Sequence, residues 1–480
     1  MAIITDTAPL QQPDTWHELR RMDYGEWNLP RFAGDMPDEW ATVATYLFAL
    51  RESKEHRNRM RRRYYDGKNH LKDFGISTPP ELLNVETVVG WPRIAVDAMA
   101  VRSRFDGFTA ATTEVQELLD GIVDRSRLKT KYRHAITPAL IQSCCFVTVT
   151  EDESGEPRID LYSAEDAAAV WDKARGRIAY GLTVEERDKN GEPVRCNLVT
   201  EHEIVHLWRD RSVWGWSVEP FALGVVPMGV FAYRASDMRP FGYSRISRSV
   251  MSLTDAAVRV ALGGDIAYQF SVAPQKYLLG VDQEAFAEQT RWEAYIGNIM
   301  AVGRDENGEV PTFGQLAQGS MQQTTEYMRL LASRFTSETN VPLHQLGVAS
   351  DANPQSAEAI YAVNEPLVIE VEEFNETAGD TLRDIAKMCI AIKSGVGYYD
   401  LTDEQRDFSA NFRNPAMPSI VSQADAMSKI AAQVEGFAGT DVYWEQMGFS
   451  EAMRRKARQQ TQANLLSQQM AQLFGVNENG

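Results

Sequence analysis

QSAEAIYAVNEPLVIEVEEFNETAGDTLRDIAKMCIAIKS, residues 355–394, is the stretch on which the fold turns. Ile360, Val363, Leu367, Val371, Phe374, Ala378, Leu382, Ile385, Cys389 and Ile392 step by threes and fours, the spacing of a helix that buries one stripe. At about 1.5 Å per residue the helix spans about 60 Å. Pro366 lacks an N–H and crowds the carbonyl four residues back, so a kink is expected near one end. The other faces carry Glu365, Glu370, Glu372, Glu373, Glu376, Asp380 and Asp384. This acidic run reads first as a solvated face, and otherwise as a surface that repels phosphates or meets a neighbour's arginines. A long helix with one apolar stripe needs a cover, and another copy of the same chain can supply it.

Working outward, 244–270 is helical, with Ile246, Val250, Leu253, Ala257 and Val260 on one face and Gly263 and Gly264 weakening its later part. Residues 320–340 are helical again. Between them, 273–313 reads as a small mixed unit with a turn at DENGE, 305–309. VPLHQLGVASDANP, 341–354, is a loop leading into the long helix. Beyond that helix come a strand-like run at 408–412 and a helix over 419–435. A Gln-rich helix or helix pair follows over 444–474, with Arg454, Arg455, Lys456 and Arg458 near its start and a frayed VNENG end.

Toward the N-terminus, 1–37 reads as loosely structured. Residues 38–65 are helical, with Trp40, Val43, Leu47 and Leu50 as the apolar stripe and Gly67 as the C-cap. The later half carries Arg57, Arg59, Arg61, Arg62 and Arg63, read as a solvated or ion-paired helix end, or else as a patch facing nucleic acid. Residues 87–104 are expected to be a helix split or kinked at Pro92, and 114–143 one or two helices. From 146 to 216 the period switches to two, with hairpin turns at 152–155 and 188–191. An antiparallel sheet is expected there, and no internal repeat is evident.

The chain has 480 residues, 44% hydrophobic and 24% charged, enough for two to four domains. Its formal net charge is −18, which argues against tight general nucleic-acid binding, since such affinity comes from Lys and Arg on phosphates. Cys144, Cys145, Cys196 and Cys389 form no C-x-x-C pair, and the adjacent two do not easily bridge, so buried, reduced thiols are expected. The opening residues lack the basic and apolar regions of a signal peptide. No apolar run reaches the ~18–20 residues that cross a bilayer.

One motif invites a catalytic reading. HEIVH, 202–206, fits H-E-x-x-H, in which two histidines on one helical face hold zinc and the Glu acts as base. Its context, LVTEHEIVHLWRD, alternates as a strand does. In a strand His202 and His206 stand about 13 Å apart, too far to share a metal. A zinc metallohydrolase using His202, Glu203 and His206 is therefore the minor alternative, and two histidines on a sheet the main reading. No phosphate loop of the G-x-x-x-x-G-K-[ST] type, no G-x-S-x-G elbow and no carboxylate dyad stands out; Gly263-Gly264-Asp265 falls inside a helical pattern. Trp208, Trp214 and Trp216 read as core or interface residues rather than as a base-stacking platform. No catalytic residue, resident metal or cofactor is expected.

Taken in order, several segments resemble the portal protein of tailed double-stranded DNA phages of the siphophage type. YYDGKNHL with NVETVVGWPRIAVDAMAVRSRFDGF is similar to the start of the portal wing. VVPMGVFAYR with FGYSRISRSVMSLTDAAVR is similar to the passage into the first stem helix. NVPLHQLGV with QSAEAIYAVNEPLV resembles the tunnel loop entering the kinked spine helix, and MGFSEAMRRKARQQ resembles the crown. The resemblance runs from about residue 64 to 449 and rests on order more than on any one motif.

It implies an α+β portal fold with a mainly helical wing, stem and crown, an antiparallel sheet in the wing and a small α/β clip, assembled as a ring of twelve. The implied parts are a wing over 1–242, a first stem helix over 243–270, a clip over 271–316 and a second stem helix over 317–340. A tunnel loop over 341–354, a spine helix with a returning wing strand over 355–418 and a crown over 419–480 complete them. It implies a channel at one capsid vertex in the virion, assembled in the host cytoplasm, for DNA packaging and later ejection. The implied partners are the terminase large subunit, head–tail adaptor proteins, major capsid and scaffold proteins and the DNA duplex, with no membrane. His344, Gln345, Asp351, Asn353 and Gln355 are the polar groups at the expected channel, and Arg291, Arg304, Asp305 and Glu306 the expected clip contacts. This tunnel loop departs from a gripping loop in having no Lys, Arg or aromatic residue. A capsid-associated protein without a channel is the remaining alternative.

Overall fold

Helix α1, Asp38–Asp66, begins with Asp38 and Glu39, where helix-end amides favour anions. It ends at Gly67 with φ 69°, and the Gly67 and Lys68 N–H groups return to the Tyr64 and Arg63 carbonyls as a Schellman cap. The structure is a computed structural model that describes residues 30–69, 87–272, 276–279, 312–315, 321–348, 357–416, 420–434 and 436–449, with isolated positions from 453 to 460. The chain divides into two compact units, Met1–Pro415 and Ala416–Gly480.

In the first unit α1 lies on a five-stranded antiparallel meander of β4 (Ala167–Asp172), β5 (Arg177–Arg187), β6 (Pro193–Val199), β7 (Glu203–Asp210) and β8 (Val213–Pro220). Val43, Leu47 and Leu50 bury against Leu182, Leu198, Val205 and Trp214. Phe48 meets Trp214 at 5.0 Å, and Trp40 meets Trp216 edge-on at 5.7 Å. The turns at 152–155 and 188–191 form as expected, with the Gly155 and Gly191 N–H groups bonded to the Asp152 and Asp188 carbonyls.

The run 146–216, expected to form one sheet, splits in two. Strand β2 (Cys144–Glu151) pairs with β3 (Pro157–Ser163) on one side and with β9 (Met228–Ala232) on the other. From Cys144 to Val149 every residue of β2 is buried. Such a strand shows no polar face, so its neighbours are set by tertiary contact rather than by alternation.

Helix α2 (Trp91–Ala100) starts later than expected and is not split, because Pro92 occupies its first turn, where a missing N–H costs no helical bond. Strand β1 (Phe105–Ala110) follows. Helices α3 (Thr113–Ser126) and α4 (Leu128–Gln142) are parted by Arg127 at φ 52°. The main core joins these elements to β2, β9 and the long helix.

Helix α5 (Arg248–Val272) is capped by Ser247, whose Oγ accepts the Val250 N–H at 3.1 Å, so the chain turns helical four residues after the expected start. It continues through Gly263 and Gly264. A Cβ on Gly264 would stand 3.2 Å from Thr324 Cγ2 of the packed helix α6 (Met321–Thr339), so glycine there permits a close helix pair. Short strands β10 (Lys276–Leu279) and β11 (Thr312–Gln315) pair antiparallel between the two helices. The expected DENGE turn lies outside the described residues.

Helix α7, Ala357–Ser394, is the long helix, unbroken at Pro366. From Leu367 to Ile392 its stripe is buried, whereas Ile360 and Val363 are 43% and 42% exposed. A capping box of Thr402 and Gln405 starts the short α8 (Asp403–Arg406). Strand β12 (Phe408–Phe412) then pairs with β1, and Phe105 and Phe108 meet Phe412 and Phe408. The second unit holds α9 (Ile420–Gln433) and α10 (Asp441–Gln446), with Phe437, Tyr443, Trp444 and Phe449 in successive ring contacts.

Candidate functional site

Where α6 ends, its last carbonyls lose their helical donors. Arg245 supplies one, donating from Nη2 to the Thr339 carbonyl at 2.6 Å. Its Nε donates to the Ala95 carbonyl of α2 at 2.5 Å, and Nη1 reaches Tyr233 Oη at 3.0 Å and Glu370 Oε1 at 2.8 Å. The Arg245 and Glu370 side chains are 2% and 5% exposed. Glu370 also accepts from Arg234 Nη2 at 3.0 Å, from the Tyr233 hydroxyl and from Asn340 Nδ2 at 3.3 Å. Burial pushes the Glu370 carboxyl up, but Arg245, Tyr233 and Arg234 outweigh it and hold the group below the ordinary range. Burial pushes the Tyr233 phenol up to about 12.

One carboxylate thus ties the end of α6, the end of β9, helix α2 and helix α7. Farther along α7, Ser103 Oγ donates to Asn375 Oδ1 at 2.6 Å and contacts the Tyr132 hydroxyl at 2.7 Å, and Thr381 Oγ1 donates to the Val230 carbonyl at 2.8 Å. Glu370 was expected on a solvated or neighbour-facing acidic surface. It is instead an internal anchor, while Glu365, Glu372, Glu373 and Glu376 remain exposed.

The described half of the expected tunnel loop, 341–348, is held in place. Val341 and Leu346 are buried, Leu343–Leu346 forms a 3-10 turn, and Trp91 Nε1 donates to the Leu346 carbonyl at 3.3 Å. His344 is exposed and Gln345 half-buried. Asp351, Asn353 and Gln355 lie outside the described residues, as do Arg291, Arg304, Asp305 and Glu306. No pattern in the sequence marks Arg245, Tyr233, Arg234 or Asn340. A buried arginine beside a helix start reads in a sequence just as an exposed one does.

HEIVH does not form a metal-binding helix. Glu203 opens β7, His202 precedes it, and His206 stands farther along it, with its ring nitrogens 2.9 Å from Asn197 Oδ1 and 2.9 Å from Glu219 Oε2. His206 belongs to a polar ladder across the sheet, where Asn197 in turn donates to Glu185 at 3.1 Å. The arginine-rich end of α1 is partly ion-paired, Arg59 to Glu55 and Arg62 to Glu165 at 3.7 Å. Burial lowers the Arg61 guanidinium to about 10. All four thiols are free and buried, and burial pushes Cys144, Cys196 and Cys389 up to about 12. No helix among the described residues is long and apolar enough to cross a membrane.

The anchors hold backbone in place instead of presenting a reactive atom, as in a structural scaffold. The family "Phage portal protein, SPP1 Gp6-like" matches residues 48–464, and the chain belongs to that family. It is a family of structural phage proteins, and the α+β portal fold expected from the sequence is the fold present. The portal proteins of Mycobacterium phage D29 and Mycobacterium phage L5 are each 25% identical over 410 and 414 residues, 82% of this chain and 83% of each relative. A solved structure titled "Neck of native GTA particle computed with C12 symmetry" is 13% identical with a TM-score of 0.40, over 75% of this chain and 89% of that one.

Proposed function

We propose that twelve copies of this chain close into a ring at one capsid vertex, through which terminase packages DNA and from which DNA later leaves. Beyond family membership, the observation that favours self-association is the head of α7. Its stripe is buried from Leu367 onward, but Ile360, Tyr361, Val363 and Ile369 are 37% to 50% exposed. Water is a poor neighbour for that surface, and a second copy would cover it. A ring requires heterologous head-to-tail contacts, so the covered and covering faces differ.

The remaining parts follow the domain plan. The wing is 1–242, the stem helices are 243–270 and 317–340, and the clip, 271–316, offers Arg291, Arg304, Asp305 and Glu306 to terminase and then to adaptor proteins. The tunnel loop, 341–354, lines the channel with His344, Gln345, Asp351 and Asn353, joined by Gln355 where the spine begins. The crown is 419–480. Neutralising phosphates would make the duplex stick, so a chain of net charge −18 suits a conduit that DNA slides through. The driving energy comes from the motor.

Native mass measurement with negative-stain imaging of the purified full chain tests this. Open-centred rings are expected. Particles without a hole, at any concentration and in the presence of capsid scaffold, would sink it. Deleting 349–354, which spares the buried Val341 and Leu346, should leave rings intact and impair packaging, and loss of the rings would remove the loop from its channel role.

A further inference from the structure

The Arg245–Glu370 pair lies where the chain concentrates backbone strain. Five non-glycine residues among those described have positive φ: Arg127, Ser143, Arg211, Arg234 and Asn340. Three of them meet here. Arg234 and Asn340 bond Glu370 directly, and the Ser143 carbonyl accepts the Tyr233 N–H at 3.1 Å. Strained backbone persists only where the surroundings over-determine it, and it gathers at working sites.

A buried ion pair is a poor device for stability, because desolvation offsets its attraction and an apolar pair of similar size often serves as well. Its strength is geometric. Arg245 holds the last carbonyl of α6, and Asn340 holds the same carboxylate, 30 residues away in the chain. Everything between 341 and 369 therefore departs and returns across one fixed tie. On the far side of that tie stand the 3-10 turn at Leu343–Leu346 and the exposed first turns of α7.

We infer that Arg245 and Glu370, with Asn340 as their third member, are positioning residues that set the direction in which 341–348 leaves α6 and α7 joins the body. The consequence for DNA passage rests on the channel reading above; the positioning itself does not.

Hydrogen–deuterium exchange on the full chain tests it, comparing peptides over 341–348 and 357–369 with sheet peptides over 177–199. In Arg245→Met/Glu370→Leu, which leaves no buried charge unpaired because Arg234 is 55% exposed, sheet exchange should stay as in the parent. Exchange over 341–348 should rise about tenfold, the mark of local opening. Asn340→Gly keeps the positive φ at no steric cost and removes only the amide donor, so it gives a milder rise at the same peptides even if the double variant fails to fold. Unchanged exchange at 341–348 in folded Asn340→Gly overturns the inference. So does a rise shared equally by the sheet, the mark of a purely structural role. A parent chain that never forms rings would sink the channel reading and leave this comparison readable.

Discussion

Glu370 sits among donors that all favour its charged form, so its pKa carries a stability consequence. Its folded pKa lies below the ordinary carboxylate value. The stabilisation is then fully present above the unfolded value of about 4.3 and is lost as pH falls through the lower folded value. Acid unfolding followed by circular dichroism should show a limb below about pH 4 that Glu370→Gln flattens. At neutral pH that variant leaves Arg245 buried against a neutral group and should cost about 3 kcal/mol in urea titration. A second residue-scale case is Gly242, at φ 63°, where a Cβ would collide with the Tyr233 carbonyl oxygen. Gly242→Ala should cost more than about 1 kcal/mol, since both the conformation and the space oppose it. A midpoint equal to the parent's would show that the 233–243 turn relaxes freely.

At the scale of elements, α7 has two regimes divided near Pro366. Beyond it the stripe is core, and before it the stripe faces water. Replacing Ile360 and Val363 by Ser should leave the monomer's stability within about 0.5 kcal/mol of the parent's, because both side chains lie outside the core at 43% and 42% exposure. The same change should shift sedimentation profiles toward the single chain. Normal assembly in that variant would mean that another face carries the contact. Strand β12 behaves oppositely. Phe408 is 6% exposed and packs its ring on Phe108 at 5.4 Å. Phe408→Ala should cost about 3–5 kcal/mol and loosen the β1–β12 pairing that returns the chain to its start.

At the scale of the whole molecule, excess negative charge predicts weak, non-retentive contact with DNA. Filter binding of duplex DNA to the purified protein should show little retention at moderate salt, and a steep loss of affinity with salt would instead reveal a set of phosphate-gripping cations. Metal analysis gives an independent check on HEIVH: no stoichiometric zinc is expected, and His202→Ala should change nothing. One zinc per chain, lost in that variant, would reopen the hydrolase alternative.

Periodic features were legible in the chain itself. The apolar steps of α1 and α7, the cap at Gly67, the turns at Asp152 and Asp188 and the strand at 408–412 follow from local spacing and local backbone chemistry, which a linear text records directly. The order of segments pointed to the portal family for the same reason. Which strands share a sheet, where Pro92 falls within its helix, and the role of Glu370 were decided only in three dimensions. An acidic residue on a helix reads alike whether it meets water or a guanidinium brought from Arg245, and only folding puts that partner beside it at 2.8 Å. Local periodicity is written along the chain, whereas the pairing of buried charge depends on which distant segments the core draws together.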